Sequence, residues 1–110
     1  MSSLSTHVLD AVRGQPAAGV RAVLLRSVEH GWDELGSATT DADGRVTRFT
    51  SAELTPGGYR LVFGTGDYFT ATGQPGFYPE VVISFLVDEE RHYHVPLLLS
   101  PYAFSTYRGS

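Results

Sequence analysis

Cysteine and lysine are both absent from this 110-residue chain. Without cysteine there is no disulfide, no thiolate nucleophile and no thiolate zinc site. Without lysine, Schiff-base chemistry and the P-loop lysine are excluded. Charge is sparse too, at 18% of residues, against about one quarter in ordinary soluble domains. That leaves surface for self-association. The basic residues number eight, all arginine, and the net charge is −4. Binding a phosphate backbone needs clustered basic side chains, so no nucleic-acid partner is expected. No apolar run nears the roughly 18 residues of a membrane span. Residues 1–7 have neither the basic start nor the apolar stretch of a signal peptide. The expectation is a cytoplasmic protein with no membrane partner.

What is present is 42% hydrophobic residues, enough for one core in one domain over residues 1–110. Short β-branched and aliphatic runs predict strands over 4–10, 20–28, 32–40, 45–49, 59–63, 81–87, 91–99 and 102–107. Gly14-Gln15-Pro16 and Pro56-Gly57-Gly58 break the chain between them. Asp41-Ala42-Asp43-Gly44 predicts a tight hairpin turn, and the acidic Asp88-Glu89-Glu90 a solvated one. One short helix is predicted over 67–72, with Asp67 as its N-cap and Gly73 just past its end. Thr50-Ser51-Ala52-Glu53 has capping-box spacing but soon meets Pro56, and reads as a turn. The fold class is therefore an all-β antiparallel sandwich with one short helix.

Chemistry must come from few residues. His92 and His94 are two apart on a predicted strand, so both point to one face. Three readings stay open: a polar face that simply carries two histidines, proton transfer near neutral pH, or a metal site completed by His7. Arg45, directly after Asp43-Gly44, reads either as an exposed hairpin residue or as a guanidinium fork suited to planar carbonyl groups. No Gly-x-Ser-x-Gly elbow, dinucleotide glycine fingerprint or EF-hand ligand series is present.

Three separated motifs carry a resemblance. They are Ser5-Thr6-His7-Val8-Leu9-Asp10, Asp43-Gly44-Arg45, and the run from His92-Tyr93-His94 to Ser100-Pro101. With the closing Tyr107-Arg108-Gly109-Ser110, the chain resembles the 5-hydroxyisourate hydrolases, the enzyme branch of the transthyretin-like family. The final tetrapeptide resembles the signature that separates these hydrolases from the hormone-carrying transthyretins. Ala103-Phe104 departs from the Gly-Tyr more usual before Ser105.

The resemblance implies a sandwich of two four-stranded sheets with one short helix. It also implies a homotetramer, a dimer of dimers with its sites where the dimers meet. The implied reaction is hydrolytic opening of the lactam ring of 5-hydroxyisourate, with no cofactor and no metal. By matched motif, His7, Arg45, His94 and Ser110 form the catalytic group. Substrate-binding positions are His7, Arg45, His92, Tyr107, Arg108 and Gly109. Gly109 is expected to permit a sharp backbone path, and Ser110 to bring a hydroxyl close to Arg45 or a histidine. Two alternatives stand beside this one: a non-catalytic carrier of small aromatic ligands, and a zinc site on His7, His92 and His94.

Overall fold

Alternation of apolar and polar side chains along the chain produces two sheets with a shared dry face. A computed structural model describes residues 2–110. In chain order the elements are β1 (Ser3–Asp10), β2 (Gln15–Pro16), β3 (Arg21–Val28), β4 (Gly31–Thr39), β5 (Arg45–Val46), β6 (Gly57–Phe63), α1 (Thr65–Ala71), β7 (Val81–Val87), β8 (His92–Ser100) and β9 (Ala103–Thr106). One sheet runs β4-β3-β6-β7, antiparallel throughout. The other runs β2-β1-β8-β9, with β5 also paired to β1. Leu4, Val8, Tyr93, Val95, Leu97 and Leu99 from this second sheet meet Leu24, Tyr59, Leu61, Phe63 and Val81 from the first, all buried.

The sandwich and its helix agree with the sequence reading, and four details differ. The second sheet has five strands rather than four, because β2 and β5 share one edge of β1, at Leu9–Asp10 and at Thr6–His7. Its central pair, β1 and β8, is parallel, which requires a long connection that local turn signals do not report. Neither acidic segment closes a hairpin: 41–44 and 88–90 both carry the chain from the first sheet to the second. Finally, α1 begins at Thr65, two residues before Asp67, with Gly64 at the N-cap position and no side-chain cap. Asp67 sits in the first turn instead, where a carboxylate favours the helix dipole. Thr65 is taken by a bond from its Oγ1 to the Tyr78 carbonyl.

Two strands of the second sheet, β5 and β9, are shorter than the sequence suggests. β5 keeps only two of the five expected residues: its pairing with β1 stops at Thr6–Val46, although β1 continues to Ser3, and Phe49 turns into the core. β9 covers 103–106 rather than 102–107. Past Thr106 the next partner would be Pro96, which has no N–H to donate to the ladder.

Asp10, at the end of β1, ties the helix to this sheet. Its buried carboxylate accepts hydrogen bonds from the Tyr68 hydroxyl (2.6 Å), Gln74 Nε2 (3.0 Å) and the N–H groups of Val12 and Arg13. Burial alone would raise its pKa, but the bonds from Tyr68, Arg13, Gln74 and Val12 together hold it below the ordinary carboxylate range. Tyr68 is pushed up to about 12, by burial and then by Asp10. Tyr68→Phe is expected to lower stability by about 1–3 kcal/mol in urea unfolding, as the carboxylate loses a buried donor. A carboxyl depressed in the folded state stabilises fully above its unfolded pKa, and that contribution fades as pH falls through the folded value. The stability gap between wild type and Asp10→Asn should therefore narrow in acid.

Candidate active site

The parallel register of β1 and β8 sets Ser3 beside His92, Ser5 beside His94 and His7 beside Pro96. Alternation does the rest. Leu4, Thr6 and Val8 face the core with Tyr93, Val95 and Leu97, so Ser3, Ser5 and His7 share the outer face with His92 and His94. On the other side of β1, Arg45 pairs directly with His7. Directly opposed side chains on neighbouring strands stand about 5 Å apart at Cβ. Four of the sequence-predicted residues thus occupy one patch of one sheet.

Arg45 owes its position to the preceding turn. Asp41 Oδ1 accepts from the N–H groups of Asp43 (2.9 Å) and Arg45 (3.0 Å), and the Asp41 carbonyl accepts from the Gly44 N–H (2.9 Å). Gly44 has φ +74° and lies against the Val8 carbonyl, so a side chain there meets both strain and collision. Its own carbonyl accepts from the Val8 N–H at 2.7 Å, which presses the turn onto β1. The Asp-Gly signal therefore marked a clamp that delivers an exposed arginine to the site.

The closing segment reaches the same patch. The Gly109 N–H donates to the His94 carbonyl at 2.8 Å, in the register that β9 sets along β8. Gly109 is buried, and a Cβ added there would lie 2.6 Å from His94 Cδ2. Its φ is not in the left-handed region. Glycine is needed here for close approach to an imidazole, not for the sharp backbone path that the sequence suggested. Tyr107, Arg108 and Ser110 flank it and are exposed. The structure thus seats Gly109 on His94 and leaves Ser110 beside the bridge, with no hydrogen bond from Ser110 to Arg45 or to a histidine among the described residues.

Sequence reasoning missed Ser5 and Ser3 as members of the group. Ser5 Oγ lies 2.8 Å from His94 Nδ1 and 2.8 Å from His92 Nε2, and Ser3 Oγ lies 2.6 Å from His92 Nδ1. The signal was a second period-two pattern, Ser-x-Ser-x-His, on a strand whose parallel pairing no local cue announces. His94 is half-buried, and its pKa is lowered by burial first, then by Arg45, His92 and His7; only a contact with the Ser5 backbone opposes this. A neutral imidazole near pH 7 is the result, with Nδ1 engaged and Nε2 without a protein partner among the described residues. Such a ring can accept or return a proton.

Among the described residues no three His, Asp or Glu side chains converge as a metal-ligand set. A cavity of about 310 Å³ adjoins the patch at its His92 end, lined also by Ser3, Thr47, Arg48 and Glu53. It does not enclose His7, Arg45 or His94, which lie on the open face of the sheet. No helix among the described residues is long and apolar enough to cross a membrane.

A 5-hydroxyisourate hydrolase of Caulobacter vibrioides is 48% identical over 115 aligned positions, covering 100% of both chains. The structure of Klebsiella pneumoniae 5-hydroxyisourate hydrolase superposes with a TM-score of 0.89 at 41% identity, again over 100% of both. Sea bream transthyretin in complex with thyroxine superposes with a TM-score of 0.91 at 32% identity, over 97% of this chain and 94% of that one. The model of the HIUase/Transthyretin family matches residues 4–109, from the first strand of the site to the glycine that rests on His94. The chain belongs to the HIUase/Transthyretin family.

Proposed function

We propose that this protein hydrolyses 5-hydroxyisourate, opening its lactam ring to give 2-oxo-4-hydroxy-4-carboxy-5-ureidoimidazoline in urate breakdown. The single observation that carries this reading is the convergence of His7, Arg45, His94 and Gly109 on one face, from four separate segments. The relatives named as this hydrolase at 41–48% identity support it. The fold is shared with a thyroxine-bound transthyretin, so architecture does not separate enzyme from carrier. The histidine pair and the tail seated on it favour the enzyme.

The chemistry follows from the groups present. A water held near His94 Nε2 gives up a proton as its oxygen attacks the lactam carbonyl. Arg45 offers a planar set of N–H donors to the oxygen as it takes on negative charge, or to the urea-like edge of the ring. His7, between Arg45 and His94, shares in water binding or in protonating the departing nitrogen. Tyr107, Arg108 and Ser110 supply exposed donors for a flat, carbonyl-rich ligand, and His92 acts through its neighbours. No step needs a metal or a cofactor. The open face of the sheet suits a site closed by a second copy, as a dimer of dimers within a tetramer would provide.

The test is direct. With 5-hydroxyisourate generated in place by urate oxidase, its ultraviolet decay should accelerate in the presence of this protein. Unchanged decay would return the carrier reading to first place. Arg45→Lys keeps the charge but loses the fork, and is expected to cost about 1–3 kcal/mol in transition-state binding, read from kcat/KM. Wild-type kcat/KM in that variant would show that the fork is not used. The depressed His94 pKa also has a sign: activity that needs the neutral ring should persist to lower pH than an ordinary histidine would allow, as a pH–rate profile would show.

A further inference from the structure

Four side chains along the β1–β8 seam form an unbroken line from the site to the surface. Ser3 Oγ, the two ring nitrogens of His92, Ser5 Oγ and His94 Nδ1 are joined by contacts of 2.6, 2.8 and 2.8 Å. Ser3 and His92 are exposed, whereas Ser5 and His94 are half-buried. The outer end borders the cavity of about 310 Å³ lined by Ser3 and His92.

We infer that Ser5 is a positioning residue that locks the tautomers of His94 and His92 together, and that the line Ser3–His92–Ser5–His94 is a proton outlet for the hydrolysis. The inference rests on the hydrolase reading for its second half only. Each serine has one proton to donate, and each neutral imidazole has one N–H and one lone pair. A continuous line therefore has two consistent settings. In the first, His94 Nδ1–H donates to Ser5, the Ser5 hydroxyl donates to His92 Nε2, and His92 Nδ1–H donates to Ser3. His94 Nε2 is then a bare lone pair, the setting a general base requires. In the second, every bond is reversed, and His94 Nε2 carries a proton.

Hydrolysis connects the two settings with all atoms accounted for. The attacking water forms the new C–O bond, and the C–N bond of the lactam breaks. One proton from that water ends on the departing nitrogen. The product acid ionises at neutral pH, so one proton is left over. It enters at His94 Nε2. His94 Nδ1–H then passes its proton to Ser5, the Ser5 hydroxyl proton moves to His92 Nε2, His92 Nδ1–H gives its proton to Ser3, and the Ser3 hydroxyl proton leaves to solvent. One proton goes in, one comes out, and no residue keeps a charge. The groups facing His94 are Arg45 from β5, His7 from β1 and His92 from β8. They disfavour a lasting imidazolium and so favour passing the proton on.

Two measurements test this. Long-range proton–nitrogen spectra of the ¹⁵N-labelled wild-type protein, at a pH where an ordinary imidazole is neutral, report which nitrogen bears hydrogen. His92 and His94 should match, both Nδ1–H or both Nε2–H. Protons on His94 Nδ1 and His92 Nε2 together would mean that both rings donate into Ser5, which breaks the line and overturns the inference. This readout does not depend on activity, so matched tautomers in a protein inert toward 5-hydroxyisourate would uphold the lock and defeat the hydrolase reading alone. In the kinetic arm, Ser5→Ala should lower kcat roughly 10- to 100-fold, with KM nearly unchanged and the tautomer match lost. Ser5→Thr, which keeps the hydroxyl, should restore most of the turnover. Wild-type kcat in Ser5→Ala, or no rescue by a folded Ser5→Thr, would overturn the outlet.

Discussion

Turnover of 5-hydroxyisourate is expected to fall at least about a hundredfold in His94→Ala and in His7→Ala, the scale of a lost general base or positioning group. His94 is fixed by its immediate neighbours. Its Nδ1 is engaged by Ser5, its carbonyl is engaged by the Gly109 N–H, and its ring is held neutral by burial first and then by the neighbouring Arg45. Alanine removes the proton acceptor and leaves the backbone bridge in place. His7 stands between Arg45 on one neighbouring strand and the strand of His94 on the other. His30→Ala is the control. His30 is exposed in the β3–β4 turn, 3.9 Å from Glu29, and should behave as wild type. Ultraviolet decay rates for the three purified variants check this. Equal losses in all three would dissolve the assignment.

Removing Arg108 to Ser110 is expected to abolish hydrolysis while shifting the melting temperature little. Ordinarily such residues are frayed and tolerant. Here Gly109 contributes a 2.8 Å hydrogen bond to His94 and a buried contact with its ring, yet no core side chain belongs to this segment. The loss should therefore appear in the rate and not in the fold. Gly109→Ala sharpens the test, because its Cβ would press on His94 Cδ2 at 2.6 Å. The imidazole must move by several tenths of an ångström, and positioning losses of that kind reduce rate more than stability. Size-exclusion chromatography, thermal unfolding and the decay assay, run on both variants, separate the two effects. Full activity in the shortened chain would remove the tail from the mechanism.

How much of this was legible in the sequence differs from residue to residue. His92 and His94 facing one way followed from their period-two spacing on a strand, and the burial of Tyr93 between them bears it out. That Arg45 lies beside His7 did not follow from any spacing. It depends on β5 crossing to the second sheet to cap the edge of β1, a tertiary choice that Asp-Gly signals misreport as a hairpin. Motif resemblance supplied that pairing instead. Ser3 and Ser5 were invisible because a polar residue on an outward strand position is ordinary until its cross-strand neighbour is known. The helix start was displaced because the Gly64 N–H donates to the Arg21 carbonyl of β3 and Thr65 Oγ1 to the Tyr78 carbonyl, with no capping side chain. Gly109 was singled out for backbone freedom, whereas what the structure shows there is crowding against His94.

The parallel seam between β1 and β8 also governs when this protein can exist in a working form. Ser5 meets His94 across 89 positions of chain, and Thr6 meets Val95 across the same distance. Contacts of such long sequence separation demand costly loop closure before they return anything, so folding should be slow beside that of a protein built from neighbouring hairpins. During synthesis β1 is made well before β8. The edge that β8 will take waits unpaired while more than eighty residues follow, even as β2 and β5 become available to the other edge. The seam that gathers the proposed site is thus among the last parts to close. On that proposal a nascent or partly opened chain should be inactive while it still exposes a pairing edge, and the interval before β8 arrives is when a chaperone or an early misassembly has most influence.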